Sequence, residues 1–244
     1  MSLQGASVLV TGGTRGIGRA IALRLVADGA AKAVLGYMRN DKAAEEAAEA
    51  VRAAGAEPVL VRGNVADAST IEELAAAGPY RVVVHNAATG VIRPALETED
   101  KHWDWTLNAN ARTLLALARA TAPAMEPGSA IVAISSLGSV RVLENYILVG
   151  TSKAALEAVV RYLGVELAPR GIRVNAVSGG VVETEALDFF PNKDEMLATV
   201  DRTPAGRLVE AADMAGAVSF LCSDDAAMIC GQTIVVDGGF SLPA

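Results

Sequence analysis

A phenol and an amine stand seven positions apart in the segment Tyr146-Ile-Leu-Val-Gly-Thr-Ser-Lys153. A phenol can give a hydrogen bond or a proton to an oxygen that gains negative charge during a reaction. A nearby ammonium favours the ionised phenol. If both residues lie on one helix, seven positions return them to one face but leave them about 10.5 Å apart along the axis. Either a hydroxyl of a bound sugar bridges the two, or Tyr146 sits just before the helix begins. The readings without chemistry are a packing tyrosine at a helix start and a solvated lysine.

A second chemical feature is the run Thr11-Gly12-Gly13-Thr14-Arg15-Gly16-Ile17-Gly18, which follows a short apolar stretch and opens a helical pattern. The glycines permit a tight turn and a close approach of a pyrophosphate, and the helix N-terminus adds free N–H groups. Gly12, Thr14, Arg15, Gly16, Ile17 and Gly18 are therefore the expected dinucleotide contacts. The nucleotide is chosen at the end of the second strand. An acid there bonds the ribose of NAD and repels the 2′-phosphate of NADP. That place reads Gly36-Tyr37-Met38-Arg39-Asn40, with no acid before Asp41. Arg39 and Arg15 together form a pair of guanidiniums suited to a dianionic phosphate, so NADPH is the expected cofactor. In the plainer reading Arg39 is a solvated helix-start residue and Arg15 pairs with a carboxylate.

These groups need a scaffold. Short apolar runs at Val8–Val10, Ala33–Gly36, Pro58–Val61, Val82–His85, Ala130–Ser135, Arg173–Val177 and Thr233–Val236 alternate with helical patterns. The helical patterns include Arg15–Asp28, Lys42–Ala54, Trp103–Ala122 and Thr151–Ala168, and only about two turns fit in Ser69–Pro79. Val82-Val83-Val84 is apolar throughout, as suits a strand covered on both faces. The alternation predicts an α/β chain, residues 1–244, folded as a single Rossmann-type doubly wound domain with a seven-stranded parallel sheet flanked by helices. Charged, alanine-rich Asp41–Arg52 reads as a solvated helix. The segment 183–207 breaks the pattern over the carboxyl ends of the strands, where such sheets bind ligands. It is expected to be a substrate lid, with Leu187, Phe189 and Phe190 against an apolar group, or else a surface connection.

Composition removes other classes. The 244 residues are 52% apolar and only 4% aromatic, and the net charge is −7 with no long basic run. That argues against nucleic acid as a partner. It would also repel an acidic carrier protein unless a local basic patch supplies the dock. No apolar run approaches the ~18–20 residues of a membrane span. The opening residues lead directly into a strand, so a cytoplasmic location is expected. Cys222, Cys230, His85 and His102 have no metal-ligand spacing.

Along essentially its whole length the chain resembles the short-chain dehydrogenase/reductase family. Beyond the glycine loop, Asn64-Val65 resembles the segment bordering the adenine. His85-Asn86-Ala87-Ala88 resembles the family's Asn-Asn-Ala-Gly, altered at its first and last positions. Asn175-Ala176-Val177-Ser178-Gly179-Gly180 resembles Asn-Ala-Val-x-Pro-Gly, and Gly231-Gln232-Thr233 and Asp237-Gly238-Gly239 close the pattern. The resemblance implies cofactor contacts at Asn64, Val65, Asn86, Ala87, Val181 and Thr184, and at Lys153 through the nicotinamide ribose. It also implies a catalytic serine at Ser136 and a water-binding asparagine at Asn110, with Asn108 as competitor. For these two the residues themselves leave alternatives: Ser136 either bonds the substrate oxygen or lines the pocket, and Asn110 either serves a proton relay or ties the backbone at a helix kink.

The usual family spacing is Tyr-x3-Lys, and here that position is Val149, which has no proton to give. Tyr-x6-Lys, Ser-Ser-Leu-Gly-Ser-Val-Arg, Leu-Glu-Asn-Tyr, Val-Ser-Gly-Gly and Phe-Pro-Asn together are similar to the enoyl-[acyl-carrier-protein] reductases, in particular the NADPH-dependent bacillus-type group. In a ketone the carbon that takes the hydride also carries the oxygen. In an α,β-unsaturated thioester the hydride lands on C3 and charge appears on the oxygen at C1, two bonds away. A phenol moved outward suits the second. The resemblance therefore implies reduction of an enoyl thioester on acyl carrier protein, catalysed by Tyr146, Lys153, Ser136 and Asn110, in a D2 homotetramer. The alternatives are a carbonyl or 3-oxoacyl thioester reductase of the same fold and a non-catalytic NADP(H)-binding regulator.

Overall fold

The computed structural model describes residues 3–184, 187 and 192–242. Its centre is built by side chains that alternate across strands. In β1 (Ser7–Thr11) Val8 and Val10 enter one core while Leu9 enters another, and in β4 (Val82–His85) Val82 and Val84 part from Val83 in the same way. Strands that feed two apolar layers in this way carry unbroken apolar runs at their centres, as Val8–Val10 and Val82–Val84 do. The other strands are β2 (Lys32–Tyr37), β3 (Glu57–Arg62), β5 (Ala130–Ser136), β6 (Arg173–Gly179) and β7 (Thr233–Val236). They form one seven-stranded sheet in the order β3-β2-β1-β4-β5-β6-β7, and every pairing is parallel. The order reverses between β1 and β4, so the crevice at their carboxyl ends is the place for a ligand.

Helices cover both faces. On one side lie α1 (Gly16–Ala27) and α2 (Asp41–Ala53), with Ile21, Leu25, Ala47 and Val51 in the core. On the other lies the short α3 (Ala68–Ala76), whose Ile71 and Leu74 are buried. The solvated reading of Asp41–Arg52 is corrected here. Ala44, Ala47, Ala48 and Val51 fall on one face of α2 and are buried; alanine is small enough to make an apolar stripe that charge on the opposite face conceals.

The expected long helix over 103–122 is three pieces. These are α4 (Asp100–Leu107), a π turn over Asn108–Arg112 and α5 (Thr113–Thr121). The helix expected from Thr151 begins one turn earlier, as α6 (Ile147–Leu167). Burial of Leu148 and Val149 stabilises that first turn despite the weak helix preference of Val149 and Gly150. After β6 the chain makes its excursion through α7 (Lys193–Leu197) and a 3₁₀ turn at Ala198–Arg202 before α8 (Ala211–Cys222). An isolated parallel bridge, Val182 to Val209, closes the base of that excursion. α8 packs Met214, Val218 and Leu221 into the core shared with α1 and α2. Among the described residues no helix is long and apolar enough to cross a membrane.

Candidate active site

The glycine loop after β1 is tight enough to exclude side chains. Gly12 and Gly16 have φ of 63° and 50°, in the left-handed region. A Cβ on Gly18 would lie 2.1 Å from the Gly12 carbonyl oxygen and 2.6 Å from Asn86 Nδ2. Asn86 Nδ2 itself donates to the carbonyls of Thr11 and Gly12 at 3.1 and 3.0 Å, which ties the loop to the end of β4. No side chain caps α1 at Arg15, so its first amides are not satisfied by a cap and can meet an anion. Gly16 faces Thr184, whose Cγ2 would be 3.5 Å from an added Cβ. The structure thereby brings the expected nicotinamide-side threonine to the loop. Val181 accepts from the Val209 amide at 3.2 Å in the same corner.

At the adenosine end Asp41, the first acid after β2, is already engaged. It accepts from Tyr37 Oη at 3.0 Å and pairs with Arg62 at 3.3 Å. Arg39 is exposed and has no ion-pair partner among the described residues. The local field is therefore positive where a 2′-phosphate would sit. Asn64 Oδ1 accepts from the Ala66 amide at 3.1 Å, and the Val65 carbonyl accepts from Thr113 Oγ1 at 3.0 Å, which hold that loop in place.

Thr11 connects this cradle to the chemistry. Its hydroxyl oxygen accepts from the amides of Asn86 and Ala87, each at 3.1 Å. Its proton is left for His85 Nδ1, 3.2 Å away. His85 must then carry its own proton on Nε2, which donates to the Asn110 carbonyl at 2.8 Å. Burial, reinforced by the charge of Lys153, lowers the imidazole to about 4, so the ring is neutral.

Tyr146 is the residue immediately before α6, which settles the spacing in favour of the second arrangement considered above. Asn145, at φ 58°, turns the chain into position. The phenol ring packs against Gly138, where a Cβ would meet its Cε1 and Cδ1 at 2.5 and 2.6 Å. Gly150 in turn leaves room for the Gly138 carbonyl, which would lie 2.6 Å from an added Cβ. Two glycines thus make the seat that lets a phenol reach in from outside the helix. Its hydroxyl donates to Ser136 Oγ at 3.4 Å, and Ser136 Oγ also accepts from the Gly138 amide at 3.3 Å. Burial raises the phenol's pKa, partly offset by the Ser136 bond, so Tyr146 holds its proton at neutral pH.

Lys153 is buried, and its Nζ donates to the Ile134 carbonyl at 2.7 Å. Burial lowers the amine to about 8, against the opposing effect of Glu157. Tyr146 and Lys153 therefore converge on the end of β5, at Ser136 and Ile134. Val149, at the usual family position of the phenol, is buried against Gly90. A Cβ on that glycine would lie 2.2 Å from Val149 Cγ2.

Asn110 is fully buried in the π turn. Its Oδ1 accepts from the Thr89 amide at 2.9 Å, and its Nδ2 donates to the Thr89 carbonyl and to Ser152 Oγ, each at 2.8 Å. These bonds tie the loop at Thr89 and the start of α6 to the π turn. Asn108 instead lines a separate cavity of about 280 Å³ with Val65, Arg112 and Arg119. Leu187 is buried and its amide bonds the Thr184 carbonyl at 2.9 Å, whereas Phe189 and Phe190 lie outside the described residues.

Three participants escaped the sequence reading: His85 as a link, the Gly138–Gly150 seat, and Glu157, which accepts from Ser135 Oγ at 2.5 Å. Only Glu157 carried a signal, because it follows Lys153 by one helical turn.

Known proteins are similar to this chain along nearly its whole length. A family model described as enoyl-(acyl carrier protein) reductase matches residues 12–241. The chain is 38% identical over 244 residues to the 1-cyclohexenylcarbonyl-CoA reductase of Streptomyces collinus, covering 97% of this chain and 87% of that one. It is 35% identical over 247 residues to the L-xylulose reductase of Mus musculus, covering 98% of each. Among solved structures, a short chain dehydrogenase from Burkholderia cenocepacia J2315 in complex with NADP has a TM-score of 0.90 at 30% identity, covering 98% of this chain and 99% of that one.

Proposed function

The chain belongs to the short-chain dehydrogenase/reductase family, and on that premise we propose that it is an NADPH-dependent reductase of trans-2-enoyl thioesters. The observation that carries this reading is the phenol at the N-terminus of α6, seated on Gly138 and bonded to Ser136, with Val149 filling the inner position. An acid withdrawn by one turn fits an oxygen two bonds from the carbon that is reduced. The named Streptomyces relative, acting on a cyclohexenylcarbonyl thioester, supports conjugate reduction. The xylulose reductase supports the second reading, in which Tyr146 serves a carbonyl directly.

The residues fit NADPH. The uncapped start of α1 and the glycines of the loop suit a pyrophosphate, Arg39 with Arg15 suits a 2′-phosphate, and Lys153 suits ribose hydroxyls. The bound cofactor supplies the hydride. Tyr146 then stabilises the thioester oxygen as it becomes an enolate, donating a hydrogen bond or its proton. Ser136 orients the phenol, and Lys153 contributes positive charge. Asn110 keeps Thr89, and so the loop before Gly90, fixed beside α6.

We place the acyl group on acyl carrier protein, in fatty acid or related synthesis. The assembly is proposed to be a D2 homotetramer. The apolar side chains exposed on α6 (Tyr162 and Val165), α5 (Leu115), α8 (Phe220) and β7 (Val235) give it two faces to bury.

The test is NADPH oxidation by the purified protein with trans-2-enoyl and 3-oxoacyl thioesters, each on coenzyme A and on carrier protein. Faster turnover of the enoyl series is expected. Turnover of the 3-oxoacyl series alone selects the second reading, and cofactor binding without turnover of either selects a regulator. Arg39→Ala is expected to weaken NADPH by about 1.5–3 kcal/mol, roughly 10–100-fold in Kd, with little effect on NADH. Equal losses for both cofactors, measured by fluorescence titration, remove Arg39 from the phosphate site.

A further inference from the structure

We propose that Glu157 is a positioning residue that keeps Lys153 in its ammonium form and locks α6 to the catalytic end of β5. The proposal rests on the reading of Lys153 as a group of the reductase site. Its geometry is a double tie. Lys153 Nζ donates to the Ile134 carbonyl at 2.7 Å, and one turn later Glu157 Oε1 accepts from the hydroxyl of the adjacent Ser135 at 2.5 Å. Consecutive turns of α6 thus hold consecutive residues of β5, and the next residue along the strand is Ser136, the partner of Tyr146.

A structural tie alone does not call for a charge. Glu157 is 7% exposed and Ser135 is 6% exposed. A buried carboxylate with one hydroxyl partner is costly, and a glutamine would make the same bond without that cost. No lysine, arginine or histidine nitrogen of the described residues forms an ion pair with Glu157 within 4.0 Å. Four residues apart on α6, Lys153 and Glu157 share one buried face of the helix, so the carboxylate acts on the amine and favours its proton against burial. The other titratable groups facing the site are His85 on β4, held neutral, and Tyr146 before α6, held protonated. The strand partners Ser135 and Ser136 carry no charge. Among the described residues Glu157 is therefore the one anion that offsets the amine.

The experiment is the Lys153 titration in Glu157→Gln. Lysine-ε-¹³C NMR of the ligand-free protein, with the Lys153 resonance assigned from Lys153→Met, reads it without any substrate. The pH profile of kcat/KM on the preferred thioester reads it through turnover. Loss of the anion disfavours the ammonium, so both the NMR midpoint and the alkaline limb are expected to move to lower pH by about one unit or more. Ser135→Ala keeps the carboxylate and is expected to leave both midpoints in place while lowering the melting temperature. If Glu157→Gln does not fold, Glu157→Met carries the same expectation. An unmoved NMR midpoint in a folded Glu157 variant overturns the proposal, as does an equal shift in Ser135→Ala. Absence of enoyl turnover in the wild type counts against the proposed function and leaves the NMR result standing.

Discussion

Tyr146→Phe lowers kcat on trans-2-enoyl thioesters by about 10²–10³-fold, the usual scale for losing one donor to a developing oxyanion, with little change in NADPH affinity. The ring stays on Gly138, so only the hydroxyl that reaches Ser136 is lost. Stopped-flow turnover and cofactor titration separate the two effects. Gly138→Ala serves as the geometric control, because its new methyl enters the space of Cε1 and Cδ1 and displaces an intact phenol. It should reproduce much of the loss. Val149→Tyr restores the usual family spacing, but Val149 already presses on Gly90. Enoyl reduction should therefore suffer from crowding, while some ketone reduction can appear. The double variant with Tyr146→Phe keeps a phenol and changes only where it comes from. Full enoyl activity in Tyr146→Phe would make the phenol structural and remove the basis of the proposed reaction.

Lys153→Met is expected to impair both binding and rate. Losing one charged hydrogen-bonded contact raises the Kd for NADPH roughly 10–100-fold, and loss of the positive charge beside the site lowers kcat by about 10² or more. The wild-type pH profile follows from the same amine. With Lys153 lowered to about 8, kcat/KM falls as pH rises through that value. Stability moves the other way. Burial lowers Lys153 to about 8 in the folded chain, while in the unfolded chain it keeps its ordinary value of 10.5, so between these the unfolded chain binds more protons. Stability of the ligand-free protein therefore rises with pH across that window. Thermal melts of wild type and Lys153→Met check this. The variant should show a flatter rise, and an identical pH dependence would mean that Lys153 does not titrate as a buried amine.

The sheet was legible because its signal is local. Alternating side chains that feed two cores produce unbroken apolar runs, and those runs located all seven strands to within a few residues. The helices were less legible where tertiary forces decide. Nothing in Asn108-Ala-Asn-Ala-Arg112 announces a π turn, whose buried Asn110 is satisfied by Thr89 and Ser152, far away in sequence. The first turn of α6 forms because Leu148 and Val149 are buried, not because they favour helix. In the candidate site, the glycine loop, Arg39, Tyr146 and Lys153 stand out in the sequence by residue type and spacing. Thr11 with His85 and Ser135 with Glu157 meet only through folding, across 74 and 22 positions. Gly138 and Gly150 gave no chemical signal, since their contribution is the absence of a side chain.

The clamp made by Asn110 has a consequence for how such a protein can change. It grips Thr89 at both its amide and its carbonyl and anchors that residue to Ser152, one position before Lys153. The ties continue beyond it: Gly90 lies against Val149, and the Arg93 amide donates to the Asn145 carbonyl at 2.9 Å, next to Tyr146, before the chain turns outward to α4. The exposed stretch after Arg93 is a natural seam. Changes in that stretch need not disturb the bonded residues behind it.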